Sequence, residues 1–589
     1  MQLTSLDWVI VALYGILALA VGLAFARRAG RGTDEFFLSG RKLPWWLLGT
    51  SMVATTFSTD TPNLVTDLVR TGGVSQNWLW WAFLITGMAT VFFYAKLWRR
   101  SGAFTDIGFY ELRYSGKPAA FLRGFRAVYL GVFFNGVIMA SVTLAAIKIG
   151  GVLLGIDKYT TVLIAGTVTV IYSATSGLWG VVVTDMLLFV LAMVGSVAAA
   201  YYALAQPEVG GLAGMVSHPA LAGKLSLLPD FSDWTTVSVV LIVPLAVQWW
   251  STWYPGAEPG GGGYVAQRIL AARNERDAMS ATLWFNIAHY ALRPWPWIIV
   301  ALCSIIVYPS LDSIVARFPG LDPSIVRNDL AYPAMLVFLP HGLLGLAVAS
   351  LAAAYMSTIS THLNWGASYM VDDVYRRFIA PKKTEQHYVT VGRLSTVALI
   401  VLAMIVSLWL ENALQAFQIL LQIGAGTGLI FLLRWFWWRI NAWSEISAMV
   451  ISFFVAIYFQ FVHERLGFAP MQPSLTLIIG VGITTLVWIT VTLMTPPTKT
   501  STLQTFYDKI RPLGPGWHKA VRTQPNDGTE SLPAAFLCWF LGCVVVYAAL
   551  FGTGFFVYGQ VLGGVLCLVL VAASAIGLFK AVPRVGFFG

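Results

Sequence analysis

Apolar runs close to twenty residues long recur from one end of the chain to the other, separated by short polar stretches. Each run is long enough to cross a hydrocarbon core of ~30 Å as a helix. The runs are continuous rather than alternating, which predicts helices and not a barrel. By length and apolarity the pattern predicts about fifteen spans, near 9–26, 45–68, 78–97, 127–150, 161–173, 181–203, 237–254, 281–308, 343–371, 394–410, 414–433, 446–461, 475–493, 534–550 and 561–578. The first does not read as a signal peptide, because no Lys or Arg precedes it and its charges follow it in "ARRAGRG".

Two spans are interrupted. "SMVATTFSTDTPNLV" (51–65) places six hydroxyl side chains, Asp60 and Pro62 in the middle of an apolar run. "WWSTWYPGAEPGGGGYVAQR" (249–268) ends another span with two prolines and a run of glycines. Proline removes a backbone donor and glycine weakens a helix, so both segments are expected to unwind locally. Unwound backbone at membrane depth is tolerated only where it is buried in protein or lines a cavity. The breaks lie five spans apart, which puts the two helices in opposite orientations. That is the signature of inverted five-helix repeats with a substrate site where the broken helices meet. The plainer alternative is two packing kinks.

A third span carries a ladder of hydroxyls, "AYMSTIST" (354–361). On a 3.6-residue helix Ser357, Ser360 and Thr361 share one face, and Thr358 lies about 100° round from them, beside the carbonyl of Ala354. Hard cations take oxygen ligands. Unwound carbonyls at Ala54 and Phe57, with Ala354, Ser357 and Thr358, suit a monovalent cation such as Na⁺. Hydroxyls also bond along and between membrane helices without any ion. Asp185, a few residues into its span, favours the ion: a carboxylate costs roughly 2.5–3.5 kcal/mol at helix centre on insertion scales and so calls for a partner or a task. Asp60 lies nearer mid-membrane and is expected to order the substrate end or a gate.

Composition agrees with the pattern. The chain has 589 residues, 57% hydrophobic and 11% charged, with a mean hydropathy of +0.72. Four cysteines lie in apolar runs, without metal-ligand or disulfide spacing. The net charge of +10 reads as basic loops rather than a nucleic-acid surface. With the N-terminus outside and the C-terminus inside, about 25 Lys and Arg fall in inner loops. About six fall in outer ones (Arg70, Lys158, Lys224, Arg317, Arg327, Arg465). No loop exceeds about forty residues and no GxxxxGK[ST] phosphate loop occurs, so direct drive by ATP is not expected. No nucleophile–base set marks an enzyme.

Four stretches carry a family resemblance: "DEFFLSGRKLPWW" (34–46), "SGLWGVVVTD" (176–185), "VAQRILAARNERDA" (265–278) and "AAYMSTISTHLN" (353–364). They resemble the sodium:solute symporter family in content and order. The resemblance implies an all-α polytopic membrane protein with the inverted-repeat core first seen in a bacterial leucine transporter. It would have one helix before the core (1–44, with its cytoplasmic loop). The core would comprise a first repeat (45–203), an extracellular loop (204–234) and a second repeat (235–434). Four peripheral helices (435–589) would follow. Carried over, the general Na⁺ site falls on Ala54, Phe57, Ala354, Ser357 and Thr358. A second, as in sialic acid carriers, falls on Asp185, Ser357, Ser360 and Thr361. Two Na⁺ per cycle would each bring ~2.3 kcal/mol through 100 mV, roughly 50-fold accumulation apiece.

The chain departs from the family pattern in places. Leu188 stands where a glutamine is frequent, Trp80 where sugar carriers have a glutamate, and Asn135 where sialic acid carriers have an arginine. The residues expected at the substrate are Thr56, Ser58, Asp60, Thr61, Trp80, Asn135, Gln248, Trp249, Trp253 and Glu258. Tryptophan faces among hydroxyls and amides suit a sugar or polyol, although such tryptophans also serve as interfacial belts. The expected function is Na⁺-coupled import of a small polar solute across a plasma membrane, with no nucleic acid or obligate protein partner. An amino acid or organic carboxylate is the alternative solute. A sensor with a transporter fold is the alternative of another class, and a channel would need a repeated filter segment that the sequence lacks.

Overall fold

The structure is a computed structural model and describes residues 3–251, 259–410, 424–522 and 530–587. Its regular elements are helices, apart from two isolated β-bridges. In chain order they include α1 (Ser5–Ala29), α2 (Trp45–Thr55), α3 (Asp60–Gly72), α4 (Val74–Ser101), α5 (Gly116–Leu154) and α6 (Lys158–Leu204). Then come α7 (Trp234–Trp250), α8 (Gly263–Ala271), α9 (Glu275–Val307), α10 (Leu343–Ile379) and α11 (Glu385–Ser407). The last are α12 (Gly428–Leu433), α13 (Ala442–Val462), α14 (Pro473–Met494), α15 (Leu532–Val557) and α16 (Val561–Arg584).

Eleven helices among the described residues are long and apolar enough to cross a membrane, fewer than the fifteen runs expected. Identifiable causes account for the difference. α6 has 47 residues, about 70 Å at 1.5 Å per residue and twice a membrane's core. Gly177 turns the chain inside it with φ 57° and ψ −170°, between the two spans expected there. A β-carbon on Gly177 would sit 3.0 Å from the Phe36 carbonyl oxygen, so both the left-handed φ and the close approach require glycine. The span near 45–68 is cut into α2 and α3, and residues 252–254 of the one near 237–254 lie outside the described residues. Of the span near 414–433, residues 414–423 lie outside them.

α2 packs on α6, α9 and α10, with Gly49 against the Ala281 carbonyl oxygen, 2.5 Å from where a β-carbon would be. α1 packs on α6 and α10. Its buried Asp7 caps α10 from a neighbouring helix, because Oδ1 accepts from the amides of Gly342 (2.7 Å) and Gly345 (2.8 Å). This answers the orphan amides of a helix start. α15 pairs with α16 and leans on α4 and α9.

The basic loops gather at one end. Arg41 donates to the Gly102 and Ala103 carbonyls and Arg99 to Ala272. Arg100 pairs with Glu275 and Glu530, and Arg377 with Glu111. At the opposite end Lys148 on α5 and Asp329 form a fully buried ion pair at 2.5 Å. Arg70, counted among the outer-loop charges, is docked there. It donates to the carbonyls of Ser304 (2.7 Å) and Tyr308 (2.8 Å) and to Asn328 Oδ1 (3.3 Å).

Candidate functional site

The chain leaves helical form at residues 56–59, between α2 and α3. Side-chain hydroxyls bond back onto the last turn of α2 as additional donors. Thr55 Oγ1 donates to the Ser51 carbonyl and Thr56 Oγ1 to the Val53 carbonyl, both at 2.9 Å. Pro62 falls in the first turn of α3, where its missing amide proton costs nothing.

The eight candidate cation residues are all buried and converge from α2, the break, α6 and α10. Thr358 Oγ1 donates to the Thr55 carbonyl at 2.8 Å, clipping α10 to the last turn of α2. The Ala54 carbonyl accepts from the Phe57 amide at 3.0 Å. Asp185 receives Ser51 Oγ at 2.5 Å on one oxygen and Ser357 Oγ on the other. Ser360 Oγ donates to the Ser357 carbonyl at 3.0 Å, and Thr361 Oγ1 meets Thr55 Oγ1 at 3.1 Å. Hydroxyls, carbonyls and one carboxylate are the oxygen set a monovalent cation takes.

Beside this cluster lies a network of largely buried polar and aromatic side chains. Thr56 Oγ1 meets His289 Nδ1 at 2.9 Å. Ser58 donates to Asp60 and meets Thr61 at 3.3 Å, while Thr61 donates to the Thr56 carbonyl at 3.2 Å. Asp60 feels the charge of Arg293. Arg293 is buried, bonded to His289, and stacked over Trp297 at 5.1 Å. Trp80 stacks on Tyr290 at 5.8 Å and presents its edge to His289.

Other expected substrate residues are engaged elsewhere. Both ends of the Asn135 amide meet α10: Nδ2 donates to the His362 carbonyl and Oδ1 meets His362 Nδ1, each at 2.7 Å. Gln248 donates to the Leu79 carbonyl at 2.5 Å, next to Trp80. Trp249 packs against Trp539 at 5.9 Å and lines an apolar cavity of about 440 Å³ with Phe93, Phe436, Trp437 and Phe536. Trp253 and Glu258 lie outside the described residues.

Sequence reasoning missed His289, Arg293 and Arg268. The signal was present. An arginine inside "HYALRPWPWIIV" is an intramembrane charge, and such a charge is a functional-site candidate by default.

A profile of the Sodium:solute symporter family matches residues 36–452. The sodium/glucose cotransporter of Vibrio parahaemolyticus is 26% identical over 487 residues, covering 79% of this chain and 87% of that protein. The sodium/myo-inositol cotransporter 2 of Rattus norvegicus is 25% identical over 510 residues, 79% of this chain and 71% of the relative. Among solved structures, the substrate-bound outward-open state of a Na⁺-coupled sialic acid symporter superimposes with a TM-score of 0.69. It is 20% identical and covers 84% of this chain and 99% of its own.

Proposed function

The chain belongs to the sodium:solute symporter family and is a multi-pass, sodium-coupled membrane transporter, and from that premise we propose that it imports a sugar or polyol by alternating access. The observation that carries the solute class is the buried cluster of Trp80 on Tyr290 beside Thr56, His289 and Arg293, next to the break between α2 and α3. A flat apolar face suits the C–H side of a pyranose or cyclitol. The polar rim suits its hydroxyls. The names of the relatives (glucose, myo-inositol) support the same class.

In this reading Ala54, Phe57, Ala354, Ser357 and Thr358 hold one Na⁺, and Asp185, Ser357, Ser360 and Thr361 hold a second. The core is two inverted repeats, 45–203 and 235–434, within about fifteen spans. The N-terminus is outside and the C-terminus inside. The membrane is the plasma membrane, the inner one in a Gram-negative cell. Binding free energy shared between Na⁺ and solute selects the state that holds both, and the Na⁺ gradient drives the cycle.

A second reading rests on the Arg293 charge being near enough to act on Asp60. A carboxylate and a guanidinium close to one another beside the break also suit a zwitterion, an amino acid rather than a sugar.

One experiment tests both. Thermal stability of the purified protein is measured with and without Na⁺ against sugars, polyols, amino acids and carboxylates. A ligand of the folded state raises stability by mass action. Stabilisation by a sugar or polyol only when Na⁺ is present is the expected result. A Na⁺-dependent response to amino acids alone, abolished in Arg293→Gln, would replace the first reading by the second. No Na⁺ effect with any solute would overturn both.

A further inference from the structure

We propose that Arg268 is a resident counter-cation for the second Na⁺ site, exchanging with the ion for Asp185 and Thr361. This rests on the reading of Asp185, Ser357, Ser360 and Thr361 as that site.

The geometry is specific. Arg268 is fully buried on α8, the helix that follows the second break. Its Nη2 donates to Thr361 Oγ1 at 2.8 Å. Its Nε donates to Ser51 Oγ at 3.3 Å, and that hydroxyl donates to Asp185. One guanidinium therefore reaches one candidate ligand directly and another through a single hydroxyl. Its charge acts on Asp185.

The hydrogen inventory fixes who gives what. Thr55 Oγ1 donates its proton to the Ser51 carbonyl, so in its contact with Thr361 it can only accept. Thr361 then donates to Thr55 and accepts from Arg268. A lone pair of Thr361 that would face Na⁺ is occupied by the guanidinium. Gln267 Oε1 accepts from Arg268 Nη1 at 2.8 Å, while Gln267 Nε2 donates to Asn364 Oδ1 and to the Phe37 carbonyl. The guanidinium is aimed by its neighbours.

The physical need is clear. A symporter must return empty after releasing its ions. A buried carboxylate stripped of Na⁺ would face the low-dielectric core unpaired. An arginine stays charged at all working pH values and forks between two acceptors. With the guanidinium in place the empty site is neutral, and α8 is tied to α10 through Thr361. When the second Na⁺ enters, it takes those oxygens and releases that tie. Occupancy of the site and the Arg268–Thr361 contact between α8 and α10 become one equilibrium, while Gln267 still holds α8 to Asn364.

The test is a Na⁺ titration of thermal stability on the full-length protein, for wild type, Arg268→Gln, Asp185→Asn and the double variant. Removing the competitor should lower the half-saturating Na⁺ of Arg268→Gln at least tenfold, and the gain should vanish in the double variant. Arg268→Gln should also be less stable than wild type without Na⁺ and recover with it. Should Arg268→Gln fail to fold, Arg268→Lys keeps the charge but cannot reach both Thr361 and Ser51, and is expected to lower the midpoint by a smaller factor. A midpoint equal to wild type in the folded variant, or a shift that survives in the double variant, overturns the exchange. A wild-type protein indifferent to Na⁺ would instead overturn the Na⁺ sites themselves, and the exchange with them.

Discussion

The Lys148–Asp329 pair is the sharpest place to perturb the molecule. Both side chains are almost wholly excluded from water, at 1% and 2% exposure, and the charged atoms are 2.5 Å apart. Asp67 on α3 is a third buried charge, close enough for both Lys148 and Asp329 to act on it. The cluster joins α5, the 328–330 turn and the half-helix that follows the break, at the end we assign to the outside. Breaking a buried pair by removing one partner costs about 3–5 kcal/mol. In the proposed alternating-access cycle that cost falls on the form in which this cluster is dry, because opening there lets water solvate the orphaned charge. At ~1.4 kcal/mol per tenfold, even 3 kcal/mol moves the equilibrium roughly 100-fold toward opening. The two partners are not equivalent. Lys148→Met leaves Asp67 and Asp329 facing each other, so repulsion adds to desolvation. Asp329→Asn leaves Lys148 with Asp67 as a partner and should have the smaller effect. Arg70, bonded to Ser304, Tyr308 and Asn328, still holds the dry form, so the observed gain should exceed about tenfold rather than reach the full figure. The assay is the labelling rate of Thr61→Cys by a membrane-impermeant thiol reagent added outside, in a background without the four native cysteines. Lys148→Met should label fastest, Asp329→Asn less so, and wild type slowest. A Lys148→Met rate within about threefold of wild type, or the reverse order of the two variants, would refute the reasoning.

Three further predictions follow from single contacts. Asp7→Ala leaves the Gly342 and Gly345 amides without their acceptor and should cost about 1.5–3 kcal/mol in a denaturation titration; an unchanged midpoint would remove Asp7 as the cap of α10. Ser357→Ala and Thr358→Ala should each weaken the Na⁺ dependence of solute uptake, and Asp185→Asn should lower its Na⁺ Hill coefficient; unchanged Na⁺ activation in all three would sink the site assignment. Burial alone would raise the Glu530 carboxyl, but Lys96 and Arg100 outweigh it and hold it below the usual glutamate range. Its pairs therefore stabilise the fold in full above that range and lose their contribution as pH falls through the depressed value. Glu530→Gln should flatten the acid limb of thermal stability between about pH 5 and 3, and an acid limb identical to wild type would count against the pairing.

What the sequence made legible depended on whether a residue's task was local. Pro62 and the hydroxyls of 51–61 are breakers and cap formers by their own chemistry, and the break at 56–59 lies among them. The ladder at 354–361 follows from helical spacing alone, and α10 runs unbroken through it. Asn135 was different. Its amide could point into a cavity or across to another helix with equal economy, and only the packing of α5 on α10 decides that it meets His362. Trp249 is a similar case: a tryptophan beside a break suits a substrate, but this one turns to Trp539. Arg268 and Arg293 were visible as intramembrane charges, yet their partners lie on other helices, out of reach of any reading of spacing. The outer cluster was least legible, since Arg70, Lys148 and Asp329 meet only through the tertiary fold.

The same partner lists divide the peripheral helices between two sets. α15 is fastened to α4 and α9 at several depths: Trp539 donates to the Ile85 carbonyl, Tyr547 to Trp81, and Trp295 to the Leu550 carbonyl, each at 2.8 Å. At the basic end Lys96 and Arg100 hold Glu530 just before α15 begins. α1 is bound to the other set. Its Asp7 caps α10, and its Gly22 lies against Tyr172 of α6, where a β-carbon would come within 3.2 Å of the ring. Any rocking of one set against the other must therefore carry α15 with α4 and α9, and α1 with α6 and α10, or break buried contacts at every level. The broken helix, whose α2 packs on both α9 and α10, lies between the two, as does α8, and α9 also meets α6 directly through Trp297 and Ser196. In the proposed reading the broken helix's hydroxyls and carbonyls, with Thr358 clipped to the Thr55 carbonyl, hold the ion at that boundary.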